Sequence, residues 1–189
     1  MEKKEIITIA GSPGSGKSSA ADGVAKELGF QRFSSGNLFR KIGLELGISV
    51  NELSKRAETD PEIDRRTDEE VKKIGKLNKV VLDSRLGFHW IPESFKVYLD
   101  LSPEIAKERI LNDLKTNKSR KASEDYSSPE EIYEKINQRL ESEKKRYAEL
   151  YDITHTDKNQ YDLVIDTDKN NLEQVIKTII QEYKKWIRK

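Results

Sequence analysis

Gly11-Ser12-Pro13-Gly14-Ser15-Gly16-Lys17-Ser18 is the stretch that decides the fold. It matches the pattern Gly-x-x-x-x-Gly-Lys-[Ser/Thr] at every fixed position. A β-branched apolar run at 6–10 precedes it, and a run at 19–28 with alanine, valine and leucine at helical spacing follows it. A strand, a glycine-rich loop and a helix in this order predict a loop that binds the phosphates of a nucleoside triphosphate, rather than a plain turn.

The fixed residues of this loop each have a physical task in phosphate binding. Glycines let backbone N–H groups approach the anion closely, and the following helix presents its positive end to it. We expect Lys17 to reach the β- and γ-phosphates of ATP and the Ser18 hydroxyl to coordinate Mg²⁺, the one cofactor expected. The residues expected to contact the nucleotide are Gly11, Ser12, Pro13, Gly14, Ser15, Gly16, Lys17, Ser18 and Ser19.

Composition limits the class of protein. A chain of 189 residues is most simply one domain with a proper core. Its 35 basic and 34 acidic side chains nearly cancel, which argues against a general nucleic-acid binder. It has no cysteine, so disulfides and thiolate metal sites are excluded. The start of the chain lacks the apolar segment of a signal peptide and no apolar run has membrane-spanning length, so we expect a cytoplasmic monomer without a membrane partner.

Apolar runs and helical patterns alternate along the chain. The predicted strands are 6–10, 32–34, 80–83, 96–101 and 162–166. After the helix that follows the loop, the predicted helices are 36–46, 50–58, 61–75, 103–116, 129–151 and 171–187. This alternation predicts an α/β fold, a five-stranded parallel sheet with helices on both faces.

Two arginines follow neighbouring predicted strands. Arg40 comes shortly after the second strand, and Arg85 follows Asp83 at the end of the third. Ligands of parallel sheets sit beyond the carboxyl ends of the strands, and the guanidinium fork suits a phosphate. We therefore expect both arginines at an anion site and Asp83 near Mg²⁺ or an acceptor hydroxyl, with surface ion pairing as the alternative.

The second half of the chain offers further cations. Arg139 and Arg146 are seven residues apart on one predicted helix, which places them on nearly the same face and predicts that both point at the phosphates, or at solvent. Between two helices, the polar segment 117–127 is either a solvated connection or a lid that carries Arg120. Both interpretations stay open.

Several segments together resemble one family. They are GSPGSGKSSAADGVAKELGF, FSSGNLFRKIGLELG, DPEIDRRTDEE, VVLDSRLGFHWIP and YDLVIDT, and they resemble the short cytidylate kinases of archaeal type, nucleoside monophosphate kinases of the P-loop class. The resemblance covers about 6–167, and its most specific parts are Ser-Gly-x-Leu-Phe-Arg and the x-x-Arg-Leu after the third strand.

The resemblance implies transfer of the γ-phosphoryl group of ATP to CMP or dCMP with Mg²⁺. It implies an acceptor-binding helical segment at about 36–76 and a lid at about 116–128 within one domain, 1–189. The acceptor would contact Ser35, Gly36, Asn37, Arg40, Asp83 and Arg85. The implied catalytic residues are Lys17, Arg85, Arg139 and Arg146.

Two departures from the family pattern leave the preferred base and sugar open. Asn37 stands where the family usually has Asp, and Asp83-Ser84-Arg85 replaces the more usual Glu-Gly-Arg. Another small acceptor remains an alternative, although Ser34-Ser35 replaces the acidic pair expected of a shikimate kinase. An accessory ATP-binding factor in RNA metabolism is the alternative from a different class.

Overall fold

A five-stranded parallel sheet forms the centre of the protein. The structure is a computed structural model, and it describes residues 4–116 and 129–188. The strands lie in the order β2-β3-β1-β4-β5. They are β1 (Ile6–Gly11), β2 (Gln31–Ser34), β3 (Val80–Asp83), β4 (Phe95–Asp100) and β5 (Leu163–Asp166). The predicted fold class is confirmed.

Helices follow the strands along most of the described chain. They are α1 (Lys17–Leu28), α2 (Ser35–Leu46), α3 (Val50–Ala57), α4 (Glu62–Ile74), α5 (Gly87–Trp90), α6 (Pro103–Thr116), α7 (Pro129–Tyr151) and α8 (Leu172–Ile187), with a 3-10 turn at Lys158–Gln160. Predicted and observed bounds differ by no more than two residues. The prediction missed α5, because a single turn is too short to show helical periodicity.

Both faces of the central strand are buried. Ile7 and Ile9 of β1 pack on the face covered by α1 and α8. Ile6 points to the opposite face and packs in a cluster with Val71 and Ile74 of α4. Parallel strands covered on both faces read as continuous apolar runs, as β1 does. The loop after β1 therefore starts from the central strand of the sheet, whose residues are all buried.

The strand register brings the ends of β1, β2 and β3 together beside this loop. Asp83 at the end of β3 pairs with Ile9 of β1 on one side and with Ser34 of β2 on the other. Gly11 at the end of β1 pairs with Leu99 of β4. Because β3 and β4 flank β1, the chain changes direction across the sheet at this point, which is where ligands of such sheets bind.

The segment expected to hold the acceptor, 36–76, contains α2, α3 and α4. These helices share a small apolar cluster that includes Ile42, Leu53 and Ile63. The lid expected at 116–128 lies outside the described residues except for Thr116, and so does Arg120. Within the part of the chain that the structure describes, no helix is long and apolar enough to cross a membrane.

Replacing Gly11 by alanine is expected to destabilise the fold. Gly11 has φ of 142°, and a Cβ there would lie 2.3 Å from the Leu99 carbonyl oxygen of the paired strand. Backbone on both sides leaves little room to relax, so we expect a loss of about 2 kcal/mol or more in the free energy of unfolding, measured with urea. In the control Gly29→Ala, φ is 67° and no atom lies within 4 Å of the added Cβ. This variant should lose only about 1 kcal/mol, and equal losses would contradict the role of the close approach.

Candidate active site

The loop between β1 and α1 turns its backbone into an anion-binding geometry. Gly14 and Gly16 have φ of 79° and 82°, in the left-handed region that glycine tolerates. No side-chain hydrogen bond caps α1 at Gly16. The N–H groups of the first helical turn lack intrahelical partners, so this terminus is suited to an anion.

Lys17 folds back onto the loop that precedes it. Its Nζ donates hydrogen bonds to the carbonyl oxygens of Gly11 and Ser12, at 2.8 and 2.7 Å. Burial, followed by the nearby charge of Arg85, lowers the pKa of Lys17 to about 7. The ammonium is thus held in place by two carbonyls while its surroundings disfavour its charge, and an incoming anion would relieve that penalty.

Ser18 and Asp83 place a hydroxyl and a carboxylate side by side in the site. The Ser18 hydroxyl donates a hydrogen bond of 2.7 Å to Oδ2 of Asp83. Asp83 is only 6% exposed, and the same oxygen faces Nη2 of Arg32 at 3.4 Å. A hydroxyl and a carboxylate side by side are the oxygen donors that a hard divalent cation prefers.

One cavity of about 820 Å³ joins most of the predicted site residues. Those that line it are Pro13, Gly14, Gly16, Lys17, Ser18, Ser19, Ser35, Gly36, Asn37, Arg40, Asp83, Arg85 and Arg139. Gly11 and Ser12 do not line it, but their carbonyls hold Lys17, and the Ser15 side chain is buried. The loop residues and the residues after β2 and β3 therefore open onto the same space.

Arg40 is held by a neighbour on its own helix. Its Nη2 donates a hydrogen bond of 2.6 Å to Oδ1 of Asn37. Asn37 in turn donates its backbone N–H to Oγ of Ser34, which caps α2. The amide that replaces the usual carboxylate at 37 therefore still orients the arginine, but as a neutral acceptor.

Arg85 and Arg139 meet at a buried carboxylate. Glu143 is 4% exposed, and its two oxygens lie 2.5 Å from Nε of Arg85 and 3.3 Å from Nε of Arg139. Burial opposes ionisation of Glu143, but Arg85 and Arg139 outweigh it and hold the pKa of this carboxyl below its usual value. The carboxylate is therefore charged at neutral pH.

Arg146 does not line the 820 Å³ cavity, and it lies instead at a small neighbouring space that Arg85 and Arg139 also line. It is 3% exposed, and its Nε donates a hydrogen bond of 2.7 Å to Asp64 of α4. Its Nη1 donates to Ser142 and to Ser54 of α3. A helical face about 100° wide allows two residues seven apart to meet different neighbours. These contacts make Arg146 a tie between α7 and the helices at 36–76.

A second buried carboxylate of α4 forms a similar tie. Tyr151 of α7 donates a hydrogen bond of 2.5 Å to Oδ2 of Asp68. Burial raises the pKa of Asp68 to about 6. Together with Asp64, this residue fastens α4 to α7 and so holds the helices at 36–76 against the helix that carries Arg139.

Sequence reasoning missed four charged residues at the site. Arg32, Arg109 and Asp22 line the cavity, and Glu143 joins two of its arginines. Arg109 of α6 donates a hydrogen bond of 2.6 Å to the carbonyl of Thr167. No local sequence pattern predicts this contact. Glu143 had one available signal, its i,i+4 spacing from Arg139.

Comparisons with known proteins agree with this geometry. A family model described as "AAA domain" matches residues 7–127, which includes the phosphate-binding loop. The cytidylate kinase of Methanothrix thermoacetophila is 37% identical over 162 residues, 86% of this chain and 88% of that protein. The cytidylate kinase of Methanocella arvoryzae is 34% identical over 184 residues, 95% of this chain and 99% of that protein. The chain belongs to the cytidylate kinase family. The family resemblance noted in the sequence is thereby confirmed.

One relative outside the cytidylate kinases carries a different name. A protein named S-adenosylmethionine-dependent nucleotide dehydratase, from Lacinutrix mariniflava, is 33% identical over 184 residues. The match covers 96% of this chain but only 36% of that longer protein. Because most of that protein has no counterpart in the match, its name does not transfer to this member of the cytidylate kinase family.

Solved structures share the fold at low identity. The shikimate kinase of Acinetobacter baumannii, in complex with shikimate, superposes with a TM-score of 0.60 and 16% identity, covering 96% of this chain and 93% of that one. A gluconokinase of Sinorhizobium meliloti gives a TM-score of 0.62 at 14% identity, covering 100% and 96%. These likenesses show that this member of the cytidylate kinase family shares its fold with those proteins, and they say nothing of the acceptor.

Proposed function

We propose that this protein transfers the γ-phosphoryl group of ATP to a nucleoside monophosphate, with CMP or dCMP preferred, and releases the diphosphate. One observation carries the proposal: Lys17 of the loop shares a single cavity with Arg40 and Arg85, which follow neighbouring strands. Two groups of cations in one cavity suit two phosphate-bearing substrates placed end to end. The acceptor follows from the relatives, which are named cytidylate kinases.

The donor side is the loop. The backbone N–H groups around Gly16 bind the phosphates, and Lys17 exchanges its two carbonyl partners for the β- and γ-phosphate oxygens. Because the ammonium is already held by Gly11 and Ser12, little reorganisation is needed when ATP enters. Lys17 thus stabilises the charge that moves onto the leaving phosphate oxygen.

Ser18 and Asp83 are the residues that would hold Mg²⁺. Their oxygens are 2.7 Å apart, and a hydroxyl with a carboxylate is a fitting donor pair for this ion, which keeps several of its waters. When bound with ATP, Mg²⁺ would neutralise part of the phosphate charge. No group of three or more His, Cys, Asp or Glu side chains among the described residues forms another metal site.

The acceptor side is formed by Arg40 and Arg85. Each follows a strand that ends beside the loop, and both line the same cavity as Lys17. A guanidinium grips a phosphate with two parallel hydrogen bonds and fixes its orientation. Phosphoryl transfer needs no covalent intermediate, so catalysis consists of holding the acceptor phosphate in line with the γ-phosphate and neutralising charge.

Binding of a polyphosphate is expected to take up a proton at Lys17. With the pKa of the free lysine at about 7, most molecules carry a neutral amine at pH 8. A bound phosphate favours the ammonium and raises this pKa, so at pH 8 the complex takes up close to one proton and affinity falls as pH rises above 7. Calorimetry of pyrophosphate binding in two buffers of different ionisation enthalpy measures the uptake.

The control for proton uptake is Lys17→Met, because pyrophosphate itself also titrates. The difference between the wild type and this variant isolates the proton bound by Lys17. Equal uptake by both proteins would contradict the assignment of the proton to this residue.

A panel of acceptors tests the proposed function. Diphosphate formation from ATP and Mg²⁺ is measured with CMP, dCMP, UMP, AMP and GMP. We expect kcat/KM for CMP or dCMP to exceed that of the purine nucleotides by about tenfold or more. A preference for another base would correct the acceptor, and inactivity with every monophosphate would contradict the kinase function and favour an accessory ATP-binding role.

A further inference from the structure

A negative charge lies beside the 820 Å³ cavity, against two of the cations that line it. Glu143 of α7 is 4% exposed and ionised, and its carboxylate bridges Arg85 and Arg139, both of which line the cavity. A carboxylate in this place repels phosphates, and an unpaired buried charge is costly. Glu143 must therefore contribute something to the site that outweighs its repulsion of phosphates.

The bridge uses one particular nitrogen of each arginine. Both contacts of Glu143 are to Nε, at 2.5 Å for Arg85 and 3.3 Å for Arg139. A guanidinium carries five N–H donors, and four of them are on the two terminal nitrogens. The contact with Arg139 is a hydrogen bond, whereas the contact with Arg85 is an ion pair without hydrogen-bond geometry. A carboxylate on the Nε side of each guanidinium therefore fixes its place without itself occupying the terminal nitrogens.

The bridge also joins two parts of the fold. Arg85 follows β3 on the proposed acceptor side, whereas Arg139 and Glu143 lie one turn apart on α7. With one carboxylate between them, the two guanidinium groups have a fixed spacing. Two arginines that act together on the phosphates from different elements need such a common support.

The charges around Lys17 indicate a second role for the Glu143 carboxylate, which is to balance positive charge. Arg85 and Arg139 disfavour the ammonium of Lys17, whereas Asp83 and Glu143 favour it. Without Glu143, Asp83 would be the one anion of this set left to balance the positive charges of Lys17, Arg85 and Arg139. The carboxylate therefore allows the cations to be gathered before any phosphate arrives.

We propose that Glu143 is a positioning residue, whose carboxylate holds Arg85 and Arg139 by Nε so that their terminal nitrogens face the phosphates. Its role in turnover rests on the proposed function, but its role in anion binding is testable by itself. The residue touches the two arginines rather than the substrates, and it acts through them.

Pyrophosphate binding separates positioning from simple charge. Glu143→Gln removes an anion from beside the cavity, so charge alone predicts tighter binding. Positioning predicts the opposite, a loss of about tenfold in affinity by calorimetry, because the arginines lose their common support. The matched control is Glu141→Gln, an exposed residue of the same helix that pairs with Lys144, and it should bind as the wild type does. Tighter or unchanged binding by Glu143→Gln would overturn the proposal.

A second variant keeps the negative charge at position 143 on a shorter side chain. Glu143→Asp retains the carboxylate but withdraws it by one methylene, so we expect it too to lose several-fold in pyrophosphate affinity. Binding equal to that of the wild type would assign the effect to charge alone and overturn the proposal. This variant decides the question if Glu143→Gln fails to fold by circular dichroism.

Turnover distinguishes failure of this inference from failure of the proposed function. With CMP and ATP saturating, kcat of Glu143→Gln should fall about tenfold at a temperature well below its melting point. A wild type that phosphorylates CMP and a variant of equal kcat would overturn the positioning role alone. A wild type inactive with every monophosphate would overturn the proposed function, and the pyrophosphate result would then decide the inference.

Discussion

Lys17→Ala is expected to lower the rate of phosphoryl transfer from ATP to CMP by about 10³-fold or more. The ammonium is the one cation of the loop itself, and it is held 2.8 and 2.7 Å from the carbonyls of Gly11 and Ser12, ready to move onto the phosphates. Its loss removes charge stabilisation that is strongest in the transition state, so kcat should fall more than the affinity for ATP. Steady-state kinetics with ATP as the varied substrate and CMP saturating, together with ATP binding by calorimetry, measure the two changes.

Stability separates this loss from damage to the fold. Burial and the neighbouring cations disfavour the ammonium, as the lowered pKa of Lys17 records. The melting temperature of Lys17→Ala should therefore equal or exceed that of the wild type, a common trade-off at functional sites. Lys26→Ala, in the exposed last turn of the same helix, is the matched control and should keep full activity. A Lys17→Ala variant with nearly normal kcat would contradict the donor site.

Arg85→Ala is expected to lower kcat/KM for CMP by about 10²-fold while leaving ATP affinity within about threefold. Arg85 follows β3 and lines the same cavity as the loop, and its terminal nitrogens are proposed to hold the acceptor phosphate. Arg85→Lys keeps the charge but loses the planar fork, so it should recover only part of the activity. Kinetics at varied CMP, together with ATP binding by calorimetry, separate the two effects.

The control for Arg85 is an arginine of ordinary surface type. Arg188 is exposed at the end of α8, outside the segment 36–76, so Arg188→Ala should change neither constant. If Arg85→Ala left the kinetics unchanged with every nucleoside monophosphate, the acceptor site would have been assigned to the wrong residues.

The fold and the geometry of the loop after β1 were predictable because their signals are local. The strand at β1, the loop with Lys17 and the start of α1 occupy fewer than 25 consecutive residues, and glycine spacing with strand and helix patterns describes them fully. The convergence of Arg40, Asp83 and Arg85 followed from one further rule, that parallel strands end at the same edge of the sheet.

The partners of buried charges were not predictable in the same way. Arg146 has the spacing of a companion to Arg139, but Asp64 and Ser54, on helices far away in sequence, take up its hydrogen bonds. Glu143 likewise looks like one more charge on a highly charged helix until α7 is packed against the strand end that carries Arg85. Such contacts depend on how helices pack, which a charge pattern along one helix does not contain.

The central claim is that one cavity brings ATP and CMP together for direct transfer. The most direct measurement mixes the protein with ATP labelled at the γ-phosphate, CMP and Mg²⁺, and then separates the products. We predict that the label appears in CDP in step with the ADP formed, and that label transfer is lost in Lys17→Ala. Label found only in inorganic phosphate, or retained in ATP, would contradict the account.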